Sequence, residues 1–494
     1  MLLPKDYSSV VFFTDMKHIG RPLFWILIAS PFLLWAICLL LPVHDDWTYF
    51  TTPYYDFGPY FKNRLLPWGG YWRPWDGLFG YVLSLCPTLF PTLNHVVVFT
   101  GHIANMLAVY FICRNLGFKQ FACNIAAVFF FISPATLGTV LGIDSMNQTY
   151  SSLWGLLATL FYIKGQNVGN VTAWLICASI AVLSKENGIT FFVIPQLLAW
   201  GFGKVTLRRA VKDTSIAIFV VIVYFAAHAL LDNGVDEVNE EYLDFSLGRK
   251  LKNFGVFIGM TWIPLDYVSL FYKPSRNVWV VTATLAASMP FLLYMIWHRP
   301  KALSGKRSLC IILCILAAAS PHLATIFSAM HPYAGLGMAA VLVAHLADGM
   351  ENRQLLHRLF VIFCVSCIFV DCHHWLKAYE SGITGNGIAE YILEHTKNPP
   401  LKVRIINIDN GEKKYSSFCV IPYEAFGWGL SVRYKNGQKW PKEMSDTTIV
   451  AQDKKGIGDA TKKAFDDGCD AVWKINGTKV YILNNNERER HADR

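Results

Sequence analysis

Two adjacent carboxylates, Asp45 and Asp46 in His44-Asp45-Asp46-Trp47, stand where the first apolar run of the chain, residues 23–41, comes to an end. Acids at such an edge are costly unless water, a cation or a reaction needs them. On an irregular segment the two point in different directions, so one can act while its neighbour orients it or binds a cation. Partial burial and mutual repulsion raise at least one pKa, which suits a general base. The plain alternative is a solvated cap on the end of the first helix. A divalent cation held by Asp45 and Asp46 is compatible with the same pair.

A second set lies further along. Tyr71-Trp72-Arg73-Pro74-Trp75 sets an arginine between tryptophans. Tryptophan near an interface is ordinary anchoring, but the planar guanidinium fork matches phosphate or carboxylate oxygens. Pro74 fits the first turn of a helix that follows. Ser184-Lys185-Glu186-Asn187-Gly188 interrupts an apolar stretch. Lys185 there either snorkels, pairs with Glu186, or aims a point charge at an anion near the surface. Asp144, in Gly142-Ile143-Asp144-Ser145, and the run His331-Pro332-Tyr333 complete the polar candidates. A lone interfacial histidine is more often structural than catalytic. The chain has no Gly-rich phosphate loop, G-x-S-x-G elbow or HExxH helix, so nucleotide hydrolysis and serine or zinc-protease chemistry of those kinds have no support.

Positioning these residues falls to a membrane scaffold. Of the 494 residues 53% are hydrophobic and only 16% charged, against about a quarter charged in soluble domains. The net charge of +9 comes from short basic clusters between apolar runs, as the positive-inside rule requires of loops, and does not argue for nucleic acid. Residues 23–41 follow Lys5, Lys17, His18 and Arg21 with no small-residue cleavage site after them, which reads as a signal anchor with its N-terminus in the cytoplasm. Further spans are expected near 94–113, 121–140, 149–163, 171–184, 188–202, 214–231, 277–297, 308–328, 332–347 and 359–376, about eleven with the first. The stretch 254–272, with Pro264 and Asp266, reads as interfacial or re-entrant. That choice keeps Arg299, Lys301, Lys306 and Arg307 on the same side as Arg114/Lys119, Lys204/Arg208/Arg209 and Arg353/Arg358. The first loop (42–93), Asp144, Lys185-Glu186, the acidic loop 232–253 and His331-Pro332-Tyr333 then gather on the external face.

Most of the twelve cysteines lie in apolar stretches and act as small hydrophobes, while Cys419 and Cys469 fall in the polar tail and could pair in an oxidising compartment. That tail, about 380–494, alternates polar and apolar residues in Lys402-Val403-Arg404-Ile405-Ile406 and Lys479-Val480-Tyr481-Ile482-Leu483, which reads as strands. Ala460 to Phe465 reads as a short helix capped by Asp459. The expectation is a mainly α, polytopic membrane domain over 1–376 and a small extracytoplasmic α/β domain over 377–494.

The order of motifs resembles the GT-C superfamily of membrane glycosyltransferases. An acid pair follows the first span, then come Tyr71-x-Arg73-Pro74, His102-Ile103-Ala104-Asn105, Ser133-Pro134-Ala135 leading to Asp144, and Ser184-Lys185-Glu186 ahead of an apolar helix. Over roughly residues 20–350 the set looks most similar to the protein O-mannosyltransferase-like branch, including the tetratricopeptide-containing transmembrane enzymes. The resemblance implies inverting transfer of a sugar from a polyprenyl-phosphate donor, at the external membrane face, to a glycan, lipid or protein acceptor. It makes Asp45 or Asp46 the base, with Asp45 slightly favoured, and Arg73 and Lys185 the clamp on the lipid phosphate. Tyr71, Asp144, Glu186, His331 and Tyr333 join the expected substrate-binding set. Two departures stand out. Relatives commonly show Glu-Arg-Tyr where this chain has His331-Pro332-Tyr333, so a cation is replaced by a histidine whose charge depends on pH; and the tail shows no tetratricopeptide repeats. A bacterial inner membrane and an envelope polysaccharide or lipid acceptor are the expected setting. A transporter or flippase of lipid-linked saccharides is the competing class, and would place its charges near the midplane of paired, interrupted helices.

Overall fold

The computed structural model of the chain describes residues 20–47, 65, 73–231, 244–264, 274–412 and 422–484. Its main helices are α1 (Arg21–Ile37), α2 (Pro74–Ser84), α3 (Thr92–Asn115), α4 (Gln120–Ile132), α5 (Met146–Lys164), α6 (Val168–Ser184), α7 (Ile194–Gly201), α8 (Leu207–Leu231), α9 (Leu247–Trp262), α10 (Pro274–His298), α11 (Lys306–Ala319), α12 (Tyr333–Asp348) and α13 (Arg353–His395). Every residue of α12 from Tyr333 to Ala347 is buried. An apolar helix without a polar face belongs at the centre of a bundle, and its Ala and Gly residues let neighbours approach closely. Around it, α3 packs on α4 and α5, and α5 on α6. The rim is different: Phe24, Trp25, Phe32 and Trp35 of α1, and Val365, Ile368 and Phe369 of α13, are exposed. Apolar surface on that scale fits contact with lipid tails.

Among the described residues three helices are long and apolar enough to cross a membrane: α3, the Val278–His298 part of α10, and α13; α1, α6 and α12 are apolar but shorter. The stretch expected to span at 121–140 is instead α4 followed by residues Pro134–Val140, bent by 50°. Pro134 removes a helical donor and pushes Ser133 out of helical geometry, which explains the break. The stretch 188–202 likewise opens as a 3-10 turn, Glu186–Phe192, before α7. The interfacial stretch 254–272 is described only to Pro264; α9 ends at Trp262.

The largest departure from the expected division is α13. It does not stop near residue 376 but continues as one 43-residue helix to His395. Its C-terminal end carries Ile388, Ala389 and Ile392 into the core of the C-terminal domain, against Ile405, Phe426 and Trp473. Beyond it lie β1 (Lys402–Asp409), α14 (Leu430–Lys435), β2 (Glu443–Val450), α15 (Lys454–Asp466), β3 (Ala471–Asn476) and β4 (Lys479–Asn484). The sheet order is β2-β1-β3-β4, with β1 parallel to β2 and β3, and β4 antiparallel to β3. Both expected strands are thus present. The expected helix begins earlier: Asp453, not Asp459, caps it, accepting the Gly456 N–H at 2.8 Å. Cys469 is buried, and Cys419 lies outside the described residues.

Glycine lets this domain sit close to the bundle. A Cβ on Gly385 of α13 would come within 2.3 Å of the Ala425 carbonyl oxygen. The residues just after Ala425 consequently reach the loop that follows α1.

Candidate active site

The chain leaves α1 at Ile37, and His44 then takes a left-handed backbone with φ 50°. The two acids that follow diverge. Asp46 turns inward and is 3% exposed. Its Oδ2 accepts the Val43 N–H at 3.0 Å, and its Oδ1 accepts the N–H groups of Ile143 and Asp144, each at 2.9 Å. This side chain therefore fastens the end of α1 to the loop between α4 and α5. Burial, followed by the Asp144 charge, raises the Asp46 carboxyl well above the usual range, while the three amide donors oppose that shift. Asp45 faces the other way, its side chain 43% exposed and its Oδ2 3.4 Å from His44 Nδ1. Burial pulls the His44 imidazole down, but Asp45, Asp144 and Glu424 together leave it raised.

Asp144 links this acidic end to the cationic one. Ser145 Oγ donates to its Oδ1 at 3.0 Å. Burial, and then the Asp45 charge, push it up to about 6 against the pull of His44 and Lys185. Lys185 closes α6 in an extended conformation, φ −157° and ψ 143°. That break sends Lys185 and Glu186 in different directions. Lys185 is partly buried with Nζ 2.9 Å from Met330 Sδ, and it is brought down to about 8 by burial and then by Arg73, with Glu186, Asp144 and Asp76 opposing.

Glu186 pairs with Arg73 and not with Lys185, which corrects one reading of the sequence. Arg73 Nε and Nη2 donate to Glu186 Oε1 at 2.6 Å and Oε2 at 2.8 Å, a fork-to-fork pair between the start of α2 and the end of α6. Burial works against the Glu186 carboxylate, but the Arg73 charge and hydrogen bonds outweigh it and hold the group at about 2. Arg73 is thus a fixed, partly neutralised cation, and two of its donors already face a carboxylate.

Two other expectations change. His331 is buried, and its Nδ1 accepts the Ser328 N–H at 3.2 Å. Burial, then the neighbouring His322 and Lys185, hold it well below the ordinary histidine value. It stacks on His322 at 4.1 Å between ring centres. Tyr333 is 1% exposed, inside the bundle, where its hydroxyl donates to His102 Nδ1 at 3.0 Å while His102 Nε2 donates to the Phe131 carbonyl at 3.1 Å. That hydroxyl links α12 to α3. Tyr71 lies outside the described residues.

The structure also brings in residues that the sequence reading passed over. Asp76, 2% exposed in the first turn of α2, adds its charge to the field at Lys185. From the C-terminal domain, Trp428 stacks on His44 with ring centres 4.8 Å apart, and Trp47 meets Tyr434 at 5.8 Å. Arg73-Pro74-Trp75-Asp76 carries a helix-start signal in which Asp76 reads as a first-turn acid; for Trp428 the only trace is the pair of glycines flanking it. As to a cation, no group of three His, Cys, Asp or Glu side chains poised to hold one occurs among the described residues. Asp46 accepts backbone N–H groups on both oxygens, one on Oδ2 and two on Oδ1.

The architecture, a helical bundle joined to a C-terminal α/β domain, has counterparts among solved structures. Among solved structures the chain is similar to ArnT from Cupriavidus metallidurans in the apo state, with a TM-score of 0.52 and 11% identity over 91% of this chain and 92% of that one. ArnT bound to undecaprenyl phosphate gives a TM-score of 0.48 at 11% identity, covering 93% and 98%. The oligosaccharyltransferase of Archaeoglobus fulgidus, in complex with zinc and sulfate, gives 0.43 at 16% identity, covering 82% of this chain and 58% of that one. This chain thus spans little more than half of the oligosaccharyltransferase. No protein-family model matches the sequence, and no curated protein matches it.

Proposed function

We propose that the protein is an inverting membrane glycosyltransferase that moves a sugar from a polyprenyl-phosphate carrier to an acceptor hydroxyl. One observation carries the reading: an exposed carboxylate, Asp45, shares a single charged cluster with the partly buried cation Lys185, joined through Asp144. Transfer from a phosphate needs that polarity. Asp45 takes the proton of the acceptor hydroxyl, and the oxygen attacks the anomeric carbon from the face opposite the phosphate. The bond from carbon to phosphate oxygen breaks, and the electron pair leaves with polyprenyl phosphate. Lys185 stabilises the charge growing on that oxygen, and Arg73, held by Glu186, adds its positive charge to the same end of the cluster. A phosphate leaves readily without a protonating acid, so the acid-and-base pair of glycosidases is not required. Asp46 is a positioning residue, with Ile143 and Asp144 as its partners.

In this reading about eleven spans place the cluster and the C-terminal domain outside, with the N-terminus inside. The protein O-mannosyltransferase-like branch, a hexosyl or pentosyl donor, and a bacterial inner membrane with an envelope glycan, lipid or protein as acceptor complete the proposal. Purified protein supplied with a panel of polyprenyl-phosphate sugars and envelope extracts tests it. Wild type transfers label with inversion at the anomeric centre and Asp45→Asn does not; retention of configuration would sink the mechanism. External labelling of a cysteine introduced near residue 440 tests the orientation, and protection there would reverse it.

A further inference from the structure

The C-terminal domain holds an open groove of about 610 Å³ between α14 and the first residues of β1 and β2. Trp428 lines it together with the cations Lys402, Arg433 and Lys442 and the acids Glu443 and Asp446. The same Trp428 stacks on His44, whose imidazole touches Asp45. The groove is therefore two side-chain contacts away from the exposed acid.

The sequence builds this placement at some cost in conformation. Gly427, Trp428 and Gly429 all have positive φ, at 68°, 48° and 88°. Gly427 is required because a Cβ there would come within 2.6 Å of Trp47, and Gly429 because one there would come within 2.7 Å of Met444 Sδ. A tryptophan has no such licence, and a bulky residue in the left-handed region is an outlier that surrounding structure must enforce. Here the enforcing contacts fix the indole between the groove and His44. On the groove wall, the Arg433 guanidinium donates to the carbonyls of Pro441 and Lys442 and so holds the entry to β2. The Glu443, Ser445 and Asp446 side chains are exposed, and among the described residues neither carboxylate has an ion-pair partner.

We propose that this groove is the acceptor subsite and that its occupant is a saccharide. An indole face takes the C–H edges of a sugar ring, and a carboxylate on the same side of β2, Asp446, accepts hydroxyl donors, which a purely apolar groove cannot do. This inference rests on the transferase reading, with the groove feeding the acceptor hydroxyl towards Asp45 past the His44–Trp428 stack.

The experiment uses the full chain in nanodiscs and two separate readouts. Saturation-transfer NMR with free mannobiose, chitobiose, cellobiose and maltotriose measures binding without any donor, and a short Ser/Thr-rich peptide serves as the competing class. Trp428→Asn, which tolerates the left-handed backbone, and Asp446→Asn, on an exposed strand position, should each weaken saccharide binding by tenfold or more, while Trp428→Phe largely restores it. Where donor is turned over, the same variants should raise the acceptor KM and leave the donor KM unchanged. Saccharide binding without turnover would overturn the transferase reading and leave the groove standing. Turnover with no effect of Asp446→Asn or Trp428→Asn on the acceptor KM, or binding of the peptide with no saccharide bound, would overturn the groove.

Discussion

Replacing each of the two adjacent acids by asparagine should separate structure from chemistry. Asp46 accepts three backbone N–H groups at 2.9–3.0 Å, two of them from residues almost a hundred positions away. Hydrogen bonds to a charged acceptor contribute about 1.5–3 kcal/mol each and neutral ones about 0.5–1.5. In Asp46→Asn the carbonyl keeps the Ile143 and Asp144 donors, but the amide NH₂ meets the Val43 N–H donor to donor. The lost bonds would cost several kcal/mol by themselves. Against that, asparagine escapes the burial and Asp144 repulsion that disfavour the carboxylate, so the net loss is about 1–3 kcal/mol. Asp45→Asn removes only a half-exposed contact to His44 and should change stability by less than about 0.5 kcal/mol. Activity orders the pair the other way: loss of a general base costs about 10²–10⁴ in kcat. Thermal unfolding in detergent, alongside initial rates, reads both quantities. A destabilised but active Asp45→Asn, or an Asp46→Asn as stable as wild type, would refute the division of labour.

Other perturbations follow from the same geometry. Arg73→Lys keeps the charge but loses the fork to Glu186, and should raise the donor KM by about tenfold, read from initial rates, with stability falling by only about 1 kcal/mol because the pair is partly exposed. The Lys185 cation is present below its value of about 8 and lost above it, so kcat/KM should fall as pH rises through 8; Lys185→Arg should move that alkaline limb upward in a pH–rate profile, and an unmoved limb would remove Lys185 from the clamp. Gly427→Ala drives a Cβ into Trp47 from a φ of 68° and should destabilise docking of the C-terminal domain by about 1–3 kcal/mol, seen as faster proteolysis between residues 396 and 430.

The acids and the cation were legible in the sequence because charge inside an apolar pattern is conspicuous and costly wherever it stands. Asp45, Asp144 and Lys185 do gather in one charged cluster. Which acid is the exposed one was not legible, since it depends on a backbone reversal at His44 and on amides of Ile143 and Asp144 that no local pattern announces. Arg73 was read as open to a phosphate, but its partner Glu186 lies 113 positions away, beyond any spacing rule. His331 shows the same limit: its residue type suggests a switchable charge, and its burial beside His322, which lowers it, is not visible in the sequence. In the fold, strand periodicity survived because alternation is local. The end of α13 did not, because the pattern of that helix changes from lipid-facing to domain-packing at residue 376 without any break in the backbone.

The fate of the carrier separates sugar transfer from lipid transport most directly. In sealed proteoliposomes loaded with a polyprenyl-phosphate sugar labelled in both sugar and lipid, the protein should release free polyprenyl phosphate in one-to-one proportion with glycosylated acceptor. Passage of the intact labelled lipid across the bilayer, with no polyprenyl phosphate released, would contradict sugar transfer.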